Sequence, residues 1–301
     1  MTALAARFAA LPGPVRGVFW MMLQVVSMAS LYVVVRKLTF TMPATEAAFF
    51  RGFMGLVVML PWLARRRLSE LWAPEWRFIA LRSSLSAAGI LCWFWALSGL
   101  PVTDVIAIQF THPLFVIVGA ALILREAVGP RRWAGVALGF IGMLVIIRPG
   151  LVDFNVLVLG ALGSALSNSG VQLITKHVSA NVTGGVLAFY MNLFLAPVAL
   201  VLAWDGWVWP GWTELPWLIP VGLFGTLAHV FLTRALKAAD ASLVGPLDFI
   251  RLPIAAMFGW LMFGEFSDLW TWVGAGAIIA SVLYITRRET RDAARREAGA
   301  G

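Results

Sequence analysis

The sequence predicts an all-α membrane protein: ten transmembrane helices forming two inverted five-helix repeats, with both termini cytoplasmic. Three observations carry this expectation. Sixty per cent of the 301 residues are apolar or aromatic and only 13% are charged, about half the charged share of a soluble domain, and mean hydropathy is +0.86. Ten apolar runs of near membrane-spanning length follow one another through mostly short connections. The chain also aligns with itself at a constant offset of 139 positions.

The first run, 16–36, is too long for a signal-peptide core and reads as a retained first helix. Runs 44–64, 76–97, 102–124 and 132–148 complete the first set; runs 155–177, 183–204, 215–237, 242–263 and 269–287 form the second. Uninterrupted apolar runs satisfy their backbone groups in lipid as helices. The 204–215 connection, with Asp205, Trp207, Pro210, Trp212 and Glu214, reads as an interfacial belt. Gly135, Gly139 and Gly142 in the fifth run, and Gly274 and Gly276 in the tenth, read as close-packing surfaces.

Charge fixes the orientation. With the N-terminus cytoplasmic, sixteen Lys and Arg residues flank the cytoplasmic ends: Arg7, Arg16, Arg65, Arg66, Arg67, Arg77, Arg125, Arg131, Arg132, Lys176, Lys237, Arg287, Arg288, Arg291, Arg295 and Arg296. Three, Arg36, Lys37 and Arg148, lie on the other side. The bias obeys the positive-inside rule and implies a multi-pass protein of the inner (cytoplasmic) membrane. The basic tail 288–301 reads as a solvated, frayed topology anchor. The net charge of +8 sits beside hydrophobic spans, so no nucleic-acid partner is expected. A single cysteine, Cys92, excludes internal disulfides and thiolate zinc clusters. His112, His177 and His229 lie in separate segments and offer no metal-ligand spacing.

At the offset of 139, Lys37 falls on Lys176, Leu56 on Leu195, Glu126 on Glu265, Trp133 on Trp272, Gly135 on Gly274 and Arg148 on Arg287. Five helices per unit is an odd number, so the second unit enters the membrane from the opposite side. Residues 1–148 then form the first repeat, 149–287 the inverted second and 288–301 the tail. The loop basic at Arg65-Arg66-Arg67 corresponds to Trp204-Asp205-Gly206, as inversion requires.

Each half also carries a Pro…Glu…Trp-x-Gly segment: Pro113, Glu126, Trp133 and Gly135, then Pro253, Glu265, Trp272 and Gly274, with one residue fewer between Pro and Glu in the second. With the five-plus-five organisation, this resembles the EamA family of the drug/metabolite transporter superfamily, over essentially the whole chain from Arg16 to Arg287. The length and character resemble the bacterial amino-acid exporters in that family. The resemblance implies a transporter of amino acids, other metabolites or drugs.

Polar residues inside the spans nominate the site, because each is costly in lipid. The offset places Gln109 on Asp248 and His112 on Arg251; both pairs are spaced i, i+3 near mid-span, just before Pro113 and Pro253. Repeat transporters bind at the midplane between repeats. Ser164, Asn168 and Gln172 follow at i, i+4 and i+8 in the sixth run; Gln24 with Ser27 and Ser83 with Ser86 form smaller faces, the latter continued by Trp93. His229 is a weaker candidate. Pro113, Pro246 and Pro253 are candidate kinks. An Asp248–Arg251 bridge that merely neutralises two buried charges, and Ser/Asn/Gln stripes that serve as interhelical glue, stand as alternatives. Arg82 and Arg234 read as snorkelling, and Arg51 as structural, within reach of Glu46.

An acid, a base and neutral hydrogen-bonders in an apolar wall suit a small zwitterion. The sequence reading is therefore an exporter of small neutral amino acids, aromatic and apolar ones included, working by alternating access. Export of other metabolites or cationic drugs, or an uncoupled facilitator, are the alternatives. No nucleophile–base set, metal cluster or P-loop is legible, so neither enzyme activity nor a cofactor is expected. Lipid and a small-molecule substrate are the expected partners; oligomeric state is open.

Overall fold

The computed structural model describes residues 11–66, 75–122, 129–148, 155–178, 182–239 and 245–298. Glu126, Arg67 and Arg125 of the sequence argument lie outside them. The described residues are helical, with no strand. In chain order the helices are α1 (Gly13–Leu38), α2 (Ala44–Leu63), α3 (Trp76–Leu97), α4 (Val102–Gln109), α5 (His112–Leu122), α6 (Pro130–Ile147), α7 (Leu157–Val178), α8 (Gly184–Ala203), α9 (Leu215–Ala238), α10 (Arg251–Phe263) and α11 (Leu269–Ala298). Seven stretches among the described residues are long and apolar enough to cross a membrane, and Trp133–Ile147 and Leu269–Tyr284 are shorter apolar helices.

Prolines and glycines set the helix ends. Proline occupies the first turn of α1, α6 and α9, where its missing N–H leaves nothing unsatisfied. α10 stops at Gly264, which takes the left-handed conformation (φ 66°), and α6 stops at Arg148 in the same region (φ 48°), its N–H donating to the Leu144 carbonyl at 2.8 Å. The basic tail departs from the expectation of a frayed extension: α11 continues to Ala298. The tail is rich in Ala, Arg and Glu, all strong helix formers.

The most extensive packings obey the offset. Helix α1 packs on α9 and α3 on α7, two contacts that exchange when the halves are exchanged; α2 packs on α8 and α6 on α11, two that map onto themselves. At the α6–α11 contact a Cβ added to Gly274 would stand 2.5 Å from the Gly142 carbonyl oxygen, so both glycines are needed for that approach. Gly139 meets Leu114 and Ser281, and the Ser281 hydroxyl donates to the Gly135 carbonyl. Gly276 is different: nothing lies within 4 Å of its Cβ position, so it packs against no neighbour.

One end of the bundle is laced together by polar side chains. Arg36 at the end of α1 donates from Nε and Nη2 to Glu265 Oε1, each at 2.8 Å, and from Nη1 to the Leu97 carbonyl at 2.8 Å. Glu265 Oε2 accepts from the Val102 N–H at 3.1 Å. Thr271 donates to Asp104 at 2.8 Å, Arg148 pairs with Asp268, and the Val208 N–H donates to Glu46 at 3.1 Å. The contacts to Glu265, Asp104, Asp268 and Glu46 each join residues more than 100 positions apart, so they bind the two halves of the chain at this rim.

Candidate functional site

The fourth apolar run is broken. Helix α4 ends at Gln109, the chain turns at Phe110-Thr111, and α5 begins at His112-Pro113. Pro113 has no N–H to offer the Gln109 carbonyl four residues back. That carbonyl instead faces His112 Nδ1 at 3.3 Å; a carbonyl only accepts, so the contact is a hydrogen bond in the forms of the ring that carry a proton on Nδ1. The second half breaks at the equivalent place, where a 3-10 turn, Gly245–Ile250, containing Pro246, leads into α10 at Arg251. Pro253 is exposed in the first turn of α10.

The broken ends meet around Gln109. The Tyr32 hydroxyl of α1 donates to Gln109 Oε1, and Gln109 Nε2 donates to Ser164 Oγ of α7 at 2.8 Å. One amide thus links three helices drawn from both halves. Arg251 is 7% exposed and pairs with Asp248 at 3.3 Å. Its guanidinium carbon lies 5.2 Å from the Phe110 ring centroid and 5.7 Å from that of Tyr32. Phe110 and Phe249, equivalent under the offset, meet edge to face at 5.0 Å, and Trp93 of α3 stands edge-on to Tyr32 at 4.6 Å. The result is an aromatic-walled cluster around an amide and an ion pair.

Several polar atoms of this cluster are buried with no hydrogen-bond partner within the protein: Trp93 Nε1, Arg251 Nε and Asp248 Oδ1, with Gln24 Oε1 two turns along α1 from Tyr32. A buried unmade hydrogen bond costs about 1–3 kcal/mol. Such a set, two donors and two acceptors on the elements that carry the aromatic rings, has the chemistry to meet a planar molecule with polar edges.

Of the residues the sequence nominated, Gln109, His112, Asp248, Arg251, Ser164 and Trp93 fall on the broken spans and the helices packed against them. Gln24 is buried on α1; Ser83 and Ser86 are buried on α3, two to three turns from Trp93. Asn168 and Gln172 are exposed and do not join Ser164. A four-residue step turns 40° beyond a full helical turn, so Gln172 has rotated about 80° away from Ser164. His229 lies elsewhere, within electrostatic reach of Arg51 and Arg82. Neither arginine behaves as expected. Arg51 is 5% exposed and does not meet Glu46, which lies five residues and 140° around α2; Arg82 is 9% exposed and bonded internally rather than snorkelling. The sequence reading missed Tyr32, Phe110 and Phe249. The symmetry offset could have found the two phenylalanines. Among the described residues no three His, Cys, Asp or Glu side chains gather to hold a metal.

Two segments of the chain, 15–148 and 155–287, match the EamA-like transporter family. The chain belongs to that family. It is a multi-pass membrane transporter, and the relatives named below match most of its length. It is 34% identical to a riboflavin transporter of Vibrio cholerae over 94% of this chain and 96% of that one. It is 30% identical to an S-adenosylmethionine uptake transporter of Rickettsia prowazekii, covering 92% and 94% respectively. It is 28% identical to the pseudopaline exporter CntI of Pseudomonas aeruginosa, covering 84% and 89%. None of these three is named for a neutral amino acid. A solved crystal structure superimposes with a TM-score of 0.61 over 91% of this chain and 98% of its own at 19% identity, a likeness of fold.

Proposed function

We propose that this EamA-family chain carries a small heteroaromatic metabolite across the inner membrane by alternating access, with riboflavin the first candidate. The observation that carries the reading is the aromatic-walled cluster: Tyr32, Trp93, Phe110 and Phe249 offer ring faces and edges, while Trp93 Nε1, Arg251 Nε and Asp248 Oδ1 keep hydrogen-bonding capacity unused. An isoalloxazine ring has flat apolar faces and an edge of alternating donors and acceptors, which fits that inventory. The riboflavin and S-adenosylmethionine relatives both handle molecules with a fused nitrogen heterocycle. Gln109, His112, Asp248, Arg251 and Ser164 orient the substrate, and the breaks at Pro113 and at Pro246–Pro253 are the places where the spans bend as the cavity changes sides.

In this reading the chain crosses the membrane ten times, as repeats 1–148 and 149–287, with both termini cytoplasmic and the Arg36–Glu265 rim on the outer face. A second reading, export of neutral amino acids, rests on the Asp248–Arg251 pair, which presents a carboxylate and a guanidinium to the two ends of a zwitterion. The test is counterflow into liposomes containing the purified protein, with labelled riboflavin, S-adenosylmethionine and phenylalanine in parallel. Saturable exchange of riboflavin supports the heteroaromatic reading. Exchange confined to phenylalanine supports the second. Flux that rises linearly without saturating contradicts a carrier of either kind.

A further inference from the structure

A second buried polar cluster lies apart from the midplane pair, and it has no counterpart under the offset: Arg51, Arg82 and His229 fall on Tyr190, Val221 and Ile90. Arg51 comes from α2, Arg82 from α3 and His229 from α9. The Arg51 guanidinium lies against Gly225, with Nε and Nη2 each 3.5 Å from the position a Cβ would take, so the missing side chain lets it reach α9. His229 is one turn further along that helix and within electrostatic reach of both arginines. Arg82 is fixed by neutral acceptors, Thr175 Oγ1 at 2.8 Å and the Leu187 carbonyl at 3.4 Å.

Among the described residues no acid pairs with Arg51 or Arg82; the ion pairs are Arg36–Glu265, Arg148–Asp268 and Arg251–Asp248. Glu46, the acid nearest in sequence to Arg51, is turned to the Val208 N–H. Arg51 Nε and Nη1 have no partner, nor have the buried hydroxyls of Ser83, beside Arg82, and Thr226, beside Gly225. Two guanidinium groups buried without a carboxylate are costly in lipid and need a reason. Their planar forks match the oxygens of a carboxylate or phosphate.

We propose that Arg51, Arg82 and His229 form a subsite for an oxyanion, a carboxylate or phosphate, borne by the transported molecule itself. The proposal rests on the carrier reading and, within it, ranks heteroaromatic molecules that bear a carboxylate or phosphate above neutral riboflavin. One helix connects the two clusters. Arg82, Ser86, Gly89 and Trp93 are spaced i, i+4, i+7 and i+11 and share one face of α3, about 16 Å from end to end. That face is covered by α7, whose Ser167 would stand 2.9 Å from a Cβ on Gly89, so α3 sets the separation of the two clusters and is not itself the path between them.

The test compares matched probes on the purified full chain in a maltoside detergent, which carries no phosphate. Binding of riboflavin and of riboflavin 5′-phosphate is followed by flavin fluorescence, and the thermal midpoint is measured with sodium phosphate against sodium gluconate. Wild type is expected to bind the phosphorylated probe at least tenfold more tightly than riboflavin, and to be stabilised by phosphate. Arg51→Gln is expected to lose both effects while holding riboflavin within twofold, and Arg51→Lys to retain part of the preference. Equal affinity of wild type for the two flavins, or a preference that survives Arg51→Gln, overturns the subsite. If neither flavin binds yet phosphate stabilises wild type and not Arg51→Gln, the oxyanion site stands and the flavin reading falls. If phosphatidylglycerol reproduces the stabilisation and abolishes the probe preference, the oxyanion belongs to a lipid headgroup and the assignment to substrate is overturned.

Discussion

The Arg36–Glu265 rim and the Gln109 cluster are built from the same kinds of side chain and differ in how far those side chains are satisfied. At the rim Glu265 uses both oxygens, Arg36 reaches a carboxylate and a carbonyl, and Asp104, Asp268 and Glu46 each find a partner distant in the chain, although Glu46 Oε1 and Arg148 Nε stay unmet. In the interior, Asp248 and Arg251 pair with each other but keep Oδ1 and Nε unused, as do Trp93 and Gln24. Satisfied polar groups hold helices in one arrangement; unsatisfied ones make a surface that gains from a ligand. In the proposed carrier the rim is the closed gate and the interior the binding surface.

That contrast can be broken by mutation, most forcefully at the interior pair. Arg251→Ala removes the partner of Asp248, whose side chain is 27% exposed, so the cost falls below the about 3–5 kcal/mol of a fully buried pair. Transport is expected to vanish and the thermal midpoint to fall, read by counterflow and by fluorescence-detected melting. Gly274→Val is next. Its Cβ would collide with the Gly142 carbonyl, and overpacking of this kind costs about 1–3 kcal/mol; the expected readout is a lower thermal midpoint with substrate affinity unchanged in the protein that remains folded. Ser164→Ala removes the acceptor of the Gln109 amide, a loss of about 1 kcal/mol, and is expected to weaken binding about fivefold. Asn168→Ala, on the exposed side of the same helix, is expected to change affinity less than twofold. Equal effects at Ser164 and Asn168 would erase the distinction between the cluster and the rest of α7.

The fold was legible because it depends on composition and period. Apolar runs, charge bias and a constant offset survive any detail of packing, and each of helices α1 to α11 overlaps one of the ten runs, α1 starting before its run and α11 continuing to Ala298. The symmetric polar pairs were legible for the same reason: the offset that aligns Glu126 with Glu265 also aligns Gln109 with Asp248. What failed was direction. Position along a helix gives depth but not azimuth, so Arg51 was assigned to Glu46 and Arg82 to the interface, whereas both turn inward. Asn168 and Gln172 were grouped with Ser164 by a four-residue spacing, but the drift carries Gln172 about 80° from Ser164, and both are exposed where Ser164 is buried. Tyr32 was invisible, since a lone tyrosine in an apolar run announces no partner until α4 brings Gln109 beside it.

The most direct measurement of the contrast is a riboflavin titration of wild type, Gln109→Ala and Glu265→Gln side by side, followed by flavin fluorescence. Gln109→Ala should lose at least tenfold in affinity while Glu265→Gln stays within twofold of wild type, because only the first unfastens Tyr32 and Ser164 beside the binding surface. Loss of affinity at Glu265 with Gln109→Ala unaffected would contradict the division into a closed rim and a binding interior.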